Sequence, residues 1–544
     1  MYLPRAGVVH AHSVIVDRRT FCLTSGFAAF AAACGNAREP LAPGRGTLTG
    51  AGVQDVLDAA LTAARKAGAT YADARVVRRQ SESLTTNEDH LVEVAANESY
   101  GIGVRVLAAG AWGFSASSAV TAEAARAAAQ RAVAIAQADA KIVKRRVELA
   151  PVAAYHDVWS SRVEKDPFAV PLAEKAEFLL SLWGEARAVP GIKFGRGTYE
   201  ASLEWKIFAS SDGSVIEQSI TRVQPGFEAT AVDAATGEFE ARRHEIAPRQ
   251  AGWEYVASST MRADARKIAE DAVEKLKAPS VVPGKRDVIL APSNLWLVIH
   301  ESVGHPTELD RALGYEANFA GTSFATVDKL GKLKYAADGV TIYADKTTAG
   351  GLATCGYDDD GVKTQRWDLV KDGLFVGYQT TRDQAAWIGE KASRGASYAQ
   401  DYRSFPFQRM PNVSLAPAKA RAGGAGGTID DIVAQTEDGV LLTGDGSWSI
   451  DHQRYNFQFG NQMAYEVKQG KVTHALRDVA YQSNTLEFWR GCDLVGGADA
   501  WRLGGALHDG KGEPPQSNAV SHGCPPARFK QVNVVNTNAR KRAT

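Results

Sequence analysis

The sequence has no excess charge of either sign, since its 544 residues include 62 Lys and Arg against 62 Asp and Glu. It also lacks a dense stripe of basic residues interleaved with aromatic ones, which nucleic-acid-binding proteins commonly use. Nucleic acid is therefore not an expected partner. The hydrophobic content of 45% and the charged content of 23% are typical of globular proteins, and the length predicts at least two domains.

Cysteine is scarce, with five residues in the whole chain. Cys22 and Cys34 belong to the N-terminal segment, which leaves Cys355, Cys492 and Cys524 in the rest of the chain. An odd number of cysteines so far apart in sequence does not form a disulfide framework.

A long hydrophobic run is also missing from the N-terminus, where the apolar stretch from Phe21 to Ala33 is too short to span a bilayer. It follows Arg18 and Arg19 and suits the core of a signal peptide. The order Arg-Arg-Thr-Phe-Cys-Leu resembles a twin-arginine export signal, although a chance Arg-Arg pair before a buried helix is the alternative. We expect residues 1–35 to be a signal peptide, residues 36–51 to be a linker, and the protein to be exported to the periplasm or cell envelope. Cys34 is a candidate for lipidation.

The hydrophobic periodicity predicts an α+β protein with two domains. Residues 53–69 have helical spacing, residues 71–118 alternate like antiparallel strands, and an alanine-rich helix follows Thr121. A second set of helices and strands occupies residues 171–278. Short strands and Gly-rich loops dominate thereafter. We expect an N-terminal domain of helices and antiparallel sheet at 52–281 and a mostly β C-terminal domain at 282–544 that contains a metal site.

The metal hypothesis rests on the motif H-E-x-x-x-H, in which His300 and Glu301 precede His305. Imidazole nitrogens are common zinc ligands, but residues i and i+5 lie about 140° apart around a regular helix. A single π-type turn would bring both histidines to one face, and Gly304 tolerates such a distortion. Glu301 could then polarise a metal-bound water and transfer its proton to a leaving amine.

Two further carboxylates follow the motif, and both are candidates to orient the ligand imidazoles. Glu308 and Asp310 could each accept a hydrogen bond from the ring N–H that does not face the metal. The alternative is that these polar residues stabilise a core without a metal, because a histidine near a glutamate is common.

The segment 300–324 resembles the H-E-x-x-x-H signature of the TldD/PmbA family of metallopeptidases, on the TldD side, where the motif is present. Three other segments are similar to family regions. They are the strand region at 78–117, the Arg-Met segment at 407–418 and the C-terminal segment at 510–537.

The resemblance implies a two-domain α+β chain and a zinc-dependent peptidase that acts on short or unfolded peptides. It also implies an enclosed metal site in a homodimer or in a heterodimer with a TldE/PmbA-like chain. His300 and His305 match the zinc ligands, and Glu301 matches the catalytic glutamate. The third ligand departs from the pattern, because Asp509 stands where the family has a cysteine before Gly-Lys. An aspartate oxygen is an accepted zinc ligand that makes a harder, less thiophilic site.

Alternatives remain open for both the ligand and the function. Cys524, His522 and Cys492 also have donor atoms suited to a third ligand. A non-catalytic partner or scaffold subunit is one competing function. An exported peptide- or carbohydrate-binding protein is another, and metal analysis of the purified chain separates these classes from a peptidase.

Overall fold

The computed structural model describes residues 51–418 and 427–538. The expected signal peptide, all but the last residue of the expected linker, and Cys34 lie outside these residues. Within the described residues, no helix has both the length and the apolar character needed to cross a bilayer.

A seven-stranded sheet and four longer helices form the N-terminal part of the described chain. The elements in chain order are α1 (Ala51–Lys66), β1 (Tyr71–Asn87), β2 (His90–Ala108), β3 (Ala111–Ser117), α2 (Ala122–Asp139), β4 (His156–Ser160), α3 (Leu172–Ala186), β5 (Ile192–Ser210), β6 (Val215–Val232), β7 (Phe239–Arg243), the short α4 (Trp253–Ala257) and α5 (Met261–Lys277). The strand order is β3-β2-β1-β5-β6-β4, with β7 beside β6. Neighbouring strands are antiparallel except for β4 and β6.

The two faces of this sheet differ because side chains alternate along each strand. On β1, Ala74 and Val76 point into the core under α1 and α2, whereas Asp73 and Arg75 point to the opposite face and are also buried. Further along the same strand, Leu84 packs in the core under α3 and α5. One face is therefore covered by helices, and the other face is charged and must be covered by something else.

The C-terminal part is mostly β structure. Its elements in chain order are β8 (Gly284–Leu290), α6 (Pro292–Ile299), a π-helical turn (His300–Gly304), a 3-10 turn (His305–Thr307), α7 (Leu309–Ala312), β9 (Ile342–Asp345), β10 (Arg366–Lys371), β11 (Leu374–Phe375), β12 (Ser397–Tyr398), β13 (Phe407–Gln408), β14 (Asn412–Leu415), α8 (Ile429–Ala434), β15 (Asp438–Ile450), β16 (Asn456–Lys468), β17 (Lys471–Leu476), β18 (Val479–Asn484), α9 (Thr485–Arg490), β19 (Cys492–Val495), β20 (Arg502–Lys511), β21 (Gln516–Cys524) and β22 (Ala527–Asn536). The predicted α+β architecture, with an N-terminal helix-and-sheet part and a mostly β C-terminal part, is confirmed.

One sheet of the C-terminal part closes on itself. Its order is β15-β8-β22-β18-β16-β17, and β15 also pairs with β16, so that five strands form a barrel-like ring. A four-stranded sheet (β11-β10-β9-β14) and the hairpin β20–β21 pack beside it. The helix α6 contacts β15, β20 and β21, which places its C-terminal end next to the hairpin.

Buried ion pairs join the two parts of the chain. Lys206 Nζ on β5 lies 2.7 Å from Asp359 Oδ1, and Arg105 Nη2 on β2 lies 2.7 Å from Asp360 Oδ1. Asp73 also accepts a hydrogen bond from Arg105 at 2.8 Å. Buried charges require such partners, so these pairs explain how the charged face of the sheet is covered.

A cleft of about 1660 Å³ lies between the two parts and is lined by residues of both, including His300, Glu301, His305 and Asp509.

Candidate metal centre

The π-helical turn aligns the two histidines of the motif. The N–H of His305 donates to the carbonyl of His300, which is the i to i+5 bond of a π-helix. The two imidazole ring centroids lie 4.6 Å apart. The turn expected from the five-residue spacing is therefore present, and both histidines reach the same side of the helix.

Ser302 of the turn and side chains from distant segments form the hydrogen bonds that this irregular turn requires. Ser302 Oγ donates to the carbonyl of Val298 at 2.5 Å, and Trp489 Nε1 donates to Ser302 Oγ at 2.9 Å. Gln379 Nε2 donates to the carbonyl of Gly304 at 2.6 Å. The turn is buried throughout, so these bonds keep its polar groups satisfied.

His522, on β21, fixes the orientation of His300. Its Nδ1 lies 2.9 Å from the carbonyl oxygen of Val413, and its Nε2 lies 2.8 Å from His300 Nδ1. A carbonyl only accepts, so His522 Nδ1 bears the proton and its Nε2 accepts from His300 Nδ1–H. Burial, reinforced by the charge of His300, lowers the pKa of His522 well below its ordinary value and keeps it neutral. The Nε2 of His300 is left to face the site.

Glu308 has the same effect on His305. Its Oε2 lies 3.0 Å from His305 Nδ1, so the carboxylate accepts the ring proton and leaves Nε2 of His305 facing the site. Glu308 is completely buried and its other oxygen lies 3.3 Å from Lys511 Nζ. This geometry agrees with the expectation that Glu308 orients a ligand imidazole.

The expectation that Asp310 orients a ligand imidazole is wrong. Its carboxylate oxygen accepts from Lys511 Nζ at 2.8 Å and contacts neither histidine of the motif. Two residues beyond Glu308, at the start of α7, the side chain points to the buried lysine instead of the cleft.

Asp509, on β20, supplies an oxygen between the two imidazoles. Its Oδ1 lies 3.4 Å from His300 Nε2 and 3.7 Å from His305 Nε2. Its Oδ2 accepts from Arg409 Nη2 at 3.1 Å, and the same guanidinium group donates to the backbone carbonyl of Asp509. Arg409 is itself buried and also donates to the carbonyl of Gln516 at 2.9 Å.

The pKa shifts follow from this arrangement. Burial opposes ionisation of Asp509, but His300, His305 and Arg409 outweigh it and lower the pKa of its carboxyl well below the ordinary value. Burial also opposes the charged form of His300, but Asp509 outweighs it and raises the pKa of that imidazole. For His305, burial and then the charge of Arg454 lower the pKa well below its ordinary value.

These three residues fit a tetrahedral cation. Ligand atoms about 2.1 Å from a tetrahedral zinc ion lie about 3.4 Å from one another. The distances from Asp509 Oδ1 to the two Nε2 atoms are close to this value, and suitable atoms of all three residues lie within 4.8 Å of one another. The Nε2 atoms of both histidines and the carboxylate of Asp509 converge on one point, so a cation bound there would stabilise this arrangement of side chains.

The structure does not bring the alternative ligands into this group. His522 uses both ring nitrogens in the bonds described above, and Cys524 Sγ lies 3.7 Å from the carbonyl oxygen of Pro292. Cys492 is buried in the core of the C-terminal part. Burial raises the pKa of both thiols, which disfavours the thiolate form that binds metals.

Glu301 also lines the cleft, where it forms an ion pair with Arg454. No motif in the sequence marks this arginine, which lies 153 positions from Glu301. The role of Arg409 was also missed, although it belongs to the Arg-Met segment that resembles the family.

Three models of one family match this chain. The "PmbA/TldA metallopeptidase C-terminal domain" matches residues 283–536, domain 1 matches 72–136, and the central domain matches 165–278. The chain belongs to the PmbA/TldD metallopeptidase family. A "Metalloprotease" of Methanothermobacter thermautotrophicus is 29% identical over 467 residues, which cover 86% of this chain and 96% of the relative.

Another sequence relative and two solved structures are also similar to this chain, the structures in fold. A "Zinc metalloprotease TldD homolog" of Saccharolobus solfataricus is 22% identical over 479 residues, covering 87% of this chain and 98% of the relative. TldE from Thermococcus kodakarensis has a similar fold, with a TM-score of 0.60 at 15% identity over 88% of this chain and 99% of that one. A Thermotoga maritima protein described as a candidate modulator of a DNA gyrase matches with a TM-score of 0.68 at 15% identity, covering 88% and 99%.

Proposed function

We propose that the protein is an exported zinc-dependent peptidase, in which His300, His305 and Asp509 hold the metal and Glu301 is the general base. The observation on which this rests is the convergence of two imidazole Nε2 atoms on one carboxylate oxygen, at the spacing of tetrahedral zinc ligands. The relative named as a zinc metalloprotease supports the choice of metal.

Each ligand has a supporting residue, as expected for a metal site. His522 accepts from His300, Glu308 accepts from His305, and Arg409 donates to Asp509. A bound zinc ion would supply Lewis-acid activation of water and of the peptide carbonyl. The residues of the chain then fix the ring tautomers and hold Asp509 ionised.

Glu301 is placed to move the proton. It follows the first histidine, it is buried to 95% and it lines the same cleft as the three ligands. In the proposed reaction, its carboxylate takes a proton from the attacking water and transfers it to the nitrogen of the leaving amine as the peptide bond breaks.

The strand β20 is the proposed binding site for the peptide. Within the described residues it pairs with β21 on one side, and residues 502–510 line the cleft. An extended peptide could add to this strand through main-chain hydrogen bonds, and such binding requires an unfolded segment. Short or unfolded peptides are therefore the proposed substrates.

A metal analysis combined with an activity assay tests the function. We expect about one zinc per chain in the purified protein, hydrolysis of unstructured peptides, and loss of hydrolysis after chelation with recovery on addition of zinc. A folded protein that binds no zinc would contradict the proposal and favour a scaffold subunit or a binding protein.

The partner is a separate proposal. The fold similarity to TldE is consistent with a homodimer or with a heterodimer containing a TldE/PmbA-like chain. Light scattering of the purified chain, alone and mixed with such a chain, distinguishes the two.

A further inference from the structure

The ion pair between Glu301 and Arg454 engages the carboxylate that the proposed reaction needs as a base. Both side chains are largely buried, at 6% and 13% exposure, and both line the cleft. In the described residues, the carboxylate of Glu301 has no other hydrogen-bond partner. The carboxylate is therefore engaged by a cation that lines the same cleft.

Arg454 is held at this position by a rigid turn between β15 and β16. Its φ angle is 62°, in the left-handed region, which costs about 1–2 kcal/mol for a residue other than glycine. Asp451 accepts backbone N–H bonds from Tyr455 at 2.8 Å and Asn456 at 2.9 Å, and Thr485 Oγ1 donates to the carbonyl of Arg454 at 2.8 Å. A strained residue fixed from several sides is a reason to look for a function.

The guanidinium group of Arg454 has N–H donors that the ion pair with Glu301 does not use. One N–H is used by Glu301, and the buried Nε of Arg454 has no hydrogen-bond partner among the described residues. A guanidinium group has five N–H donors in a planar fork that suits a carboxylate. The nearby Arg311 does not line the cleft: it is 1% exposed, it lies 2.9 Å from Glu316, and it donates to the carbonyl of Ala320.

We propose that Arg454 recognises a carboxylate group of the substrate, and that this carboxylate displaces Glu301 from the arginine. The displacement would release the general base only when a substrate is bound, so Arg454 would contribute to specificity. The ligand chemistry is a carboxylate near the scissile bond, either the C-terminus of a peptide or an Asp or Glu side chain. This inference rests on the proposed function for the role of Glu301.

A binding experiment tests the exchange without requiring turnover. The probes are short peptides in which a reduced amide replaces the scissile bond, made with a free C-terminus, with a C-terminal amide, and with Gln in place of Glu. Calorimetry with the zinc-loaded protein gives the affinities. We expect a probe with the recognised carboxylate to bind about tenfold more tightly than its neutral counterpart, the scale of a charge-assisted hydrogen bond. The arm that shows the difference identifies which carboxylate is recognised.

Three variants separate recognition from a structural role. In Arg454→Met the preference for the carboxylate should disappear, and in Arg454→Lys it should be reduced. In Glu301→Gln the acidic probe should bind more tightly than to the wild type, because its competitor is neutral, while the amide probe should be unchanged. Arg266→Met removes an exposed arginine that pairs with Glu270 outside the cleft, and it should leave every affinity unchanged.

The outcomes are decisive in both directions. Equal affinities of the acidic and neutral probes in the wild type would overturn the inference. An equal loss for both probes in Arg454→Met would assign the arginine a structural role, and unchanged binding of the acidic probe in Glu301→Gln would exclude the exchange. These affinities are measurable even if the protein shows no peptidase activity. Failure of the proposed function is therefore distinguishable from failure of the inference about Arg454.

Discussion

The Nε2 atom of His522 lies 2.8 Å from the Nδ1 atom of His300, although the two residues are 222 positions apart. The bond sets the tautomer of His300, because the other nitrogen of His522 donates to a carbonyl. The protein therefore uses a neutral histidine, where many metal sites use a carboxylate or a backbone carbonyl, to orient a candidate ligand.

His522→Ala should weaken metal binding while the three candidate ligands remain. Loss of a group that orients a ligand typically lowers metal affinity about 10–100-fold. Zinc affinity measured by competition with a chelator checks this. Cys524→Ala, on the same strand, is the matched control and should leave the affinity unchanged, because its buried thiol donates to the carbonyl of Pro292 and lies outside the group formed by His300, His305 and Asp509. Equal losses in both variants would point to damage of the strand β21.

Substitution of Asp509 tests the candidate ligand that departs from the family pattern. Asp509→Ala removes a carboxylate oxygen between the two imidazoles, so metal affinity should fall by more than the roughly 100-fold upper value for a supporting residue. Asp509→Cys should retain metal, with a shift toward thiophilic ions. Zinc per chain and competition with cadmium measure both effects, and full occupancy in Asp509→Ala would exclude this residue as a ligand.

Glu301→Gln should remove most peptidase activity and leave the metal content intact. The variant keeps the shape of the side chain but cannot accept the proton, and loss of a general base typically costs about 10²–10⁴ in rate. Turnover and zinc content are measured on the same sample. Turnover at the wild-type rate would show that another group is the base.

The fold was predictable from the sequence because its signals are local. Alternation along β1 and β2 and helical spacing in α1 and α2 are visible within single segments. The spacing of His300 and His305 was informative for the same reason, since the geometry of a regular helix alone required a π-type turn.

The residues around the site were not predictable in the same way. Arg409 and Arg454 lie 100 or more positions from their partners Asp509 and Glu301, and nothing in their local sequence indicates which residues they contact. For Asp310 the sequence predicted a contact that is absent. Asp310 lies close to the motif in sequence, which suggested that it orients a ligand imidazole, but its side chain points to Lys511 instead. Sequence spacing predicts which face a residue occupies only while the element is regular.

Export remains a prediction from the N-terminal sequence. Replacing Arg18 and Arg19 together by lysine keeps the charge but removes the arginine pair that a twin-arginine signal requires. The precursor should then accumulate in the cytoplasm. Fractionation of cells that express the wild type or the variant measures this, and normal export of the variant would show that another route is used.

Gly304→Ala should destabilise the protein through the packing of the π-helical turn. A Cβ atom at this position would lie 2.5 Å from the Sδ atom and 2.8 Å from the Cε atom of Met410, and Met410 is 1% exposed. Overpacking of a buried site typically costs about 1–3 kcal/mol in the free energy of unfolding. Since Met410 follows Arg409, which holds Asp509, metal affinity should fall as well.

The smaller side chain of Met410→Ala should relieve this clash. We therefore expect the added methyl group of Gly304→Ala to cost less in the Met410→Ala background than in the wild type, which a double-mutant cycle of denaturant unfolding measures. Two effects that simply add would show that Met410 is not the neighbour that excludes a side chain at position 304.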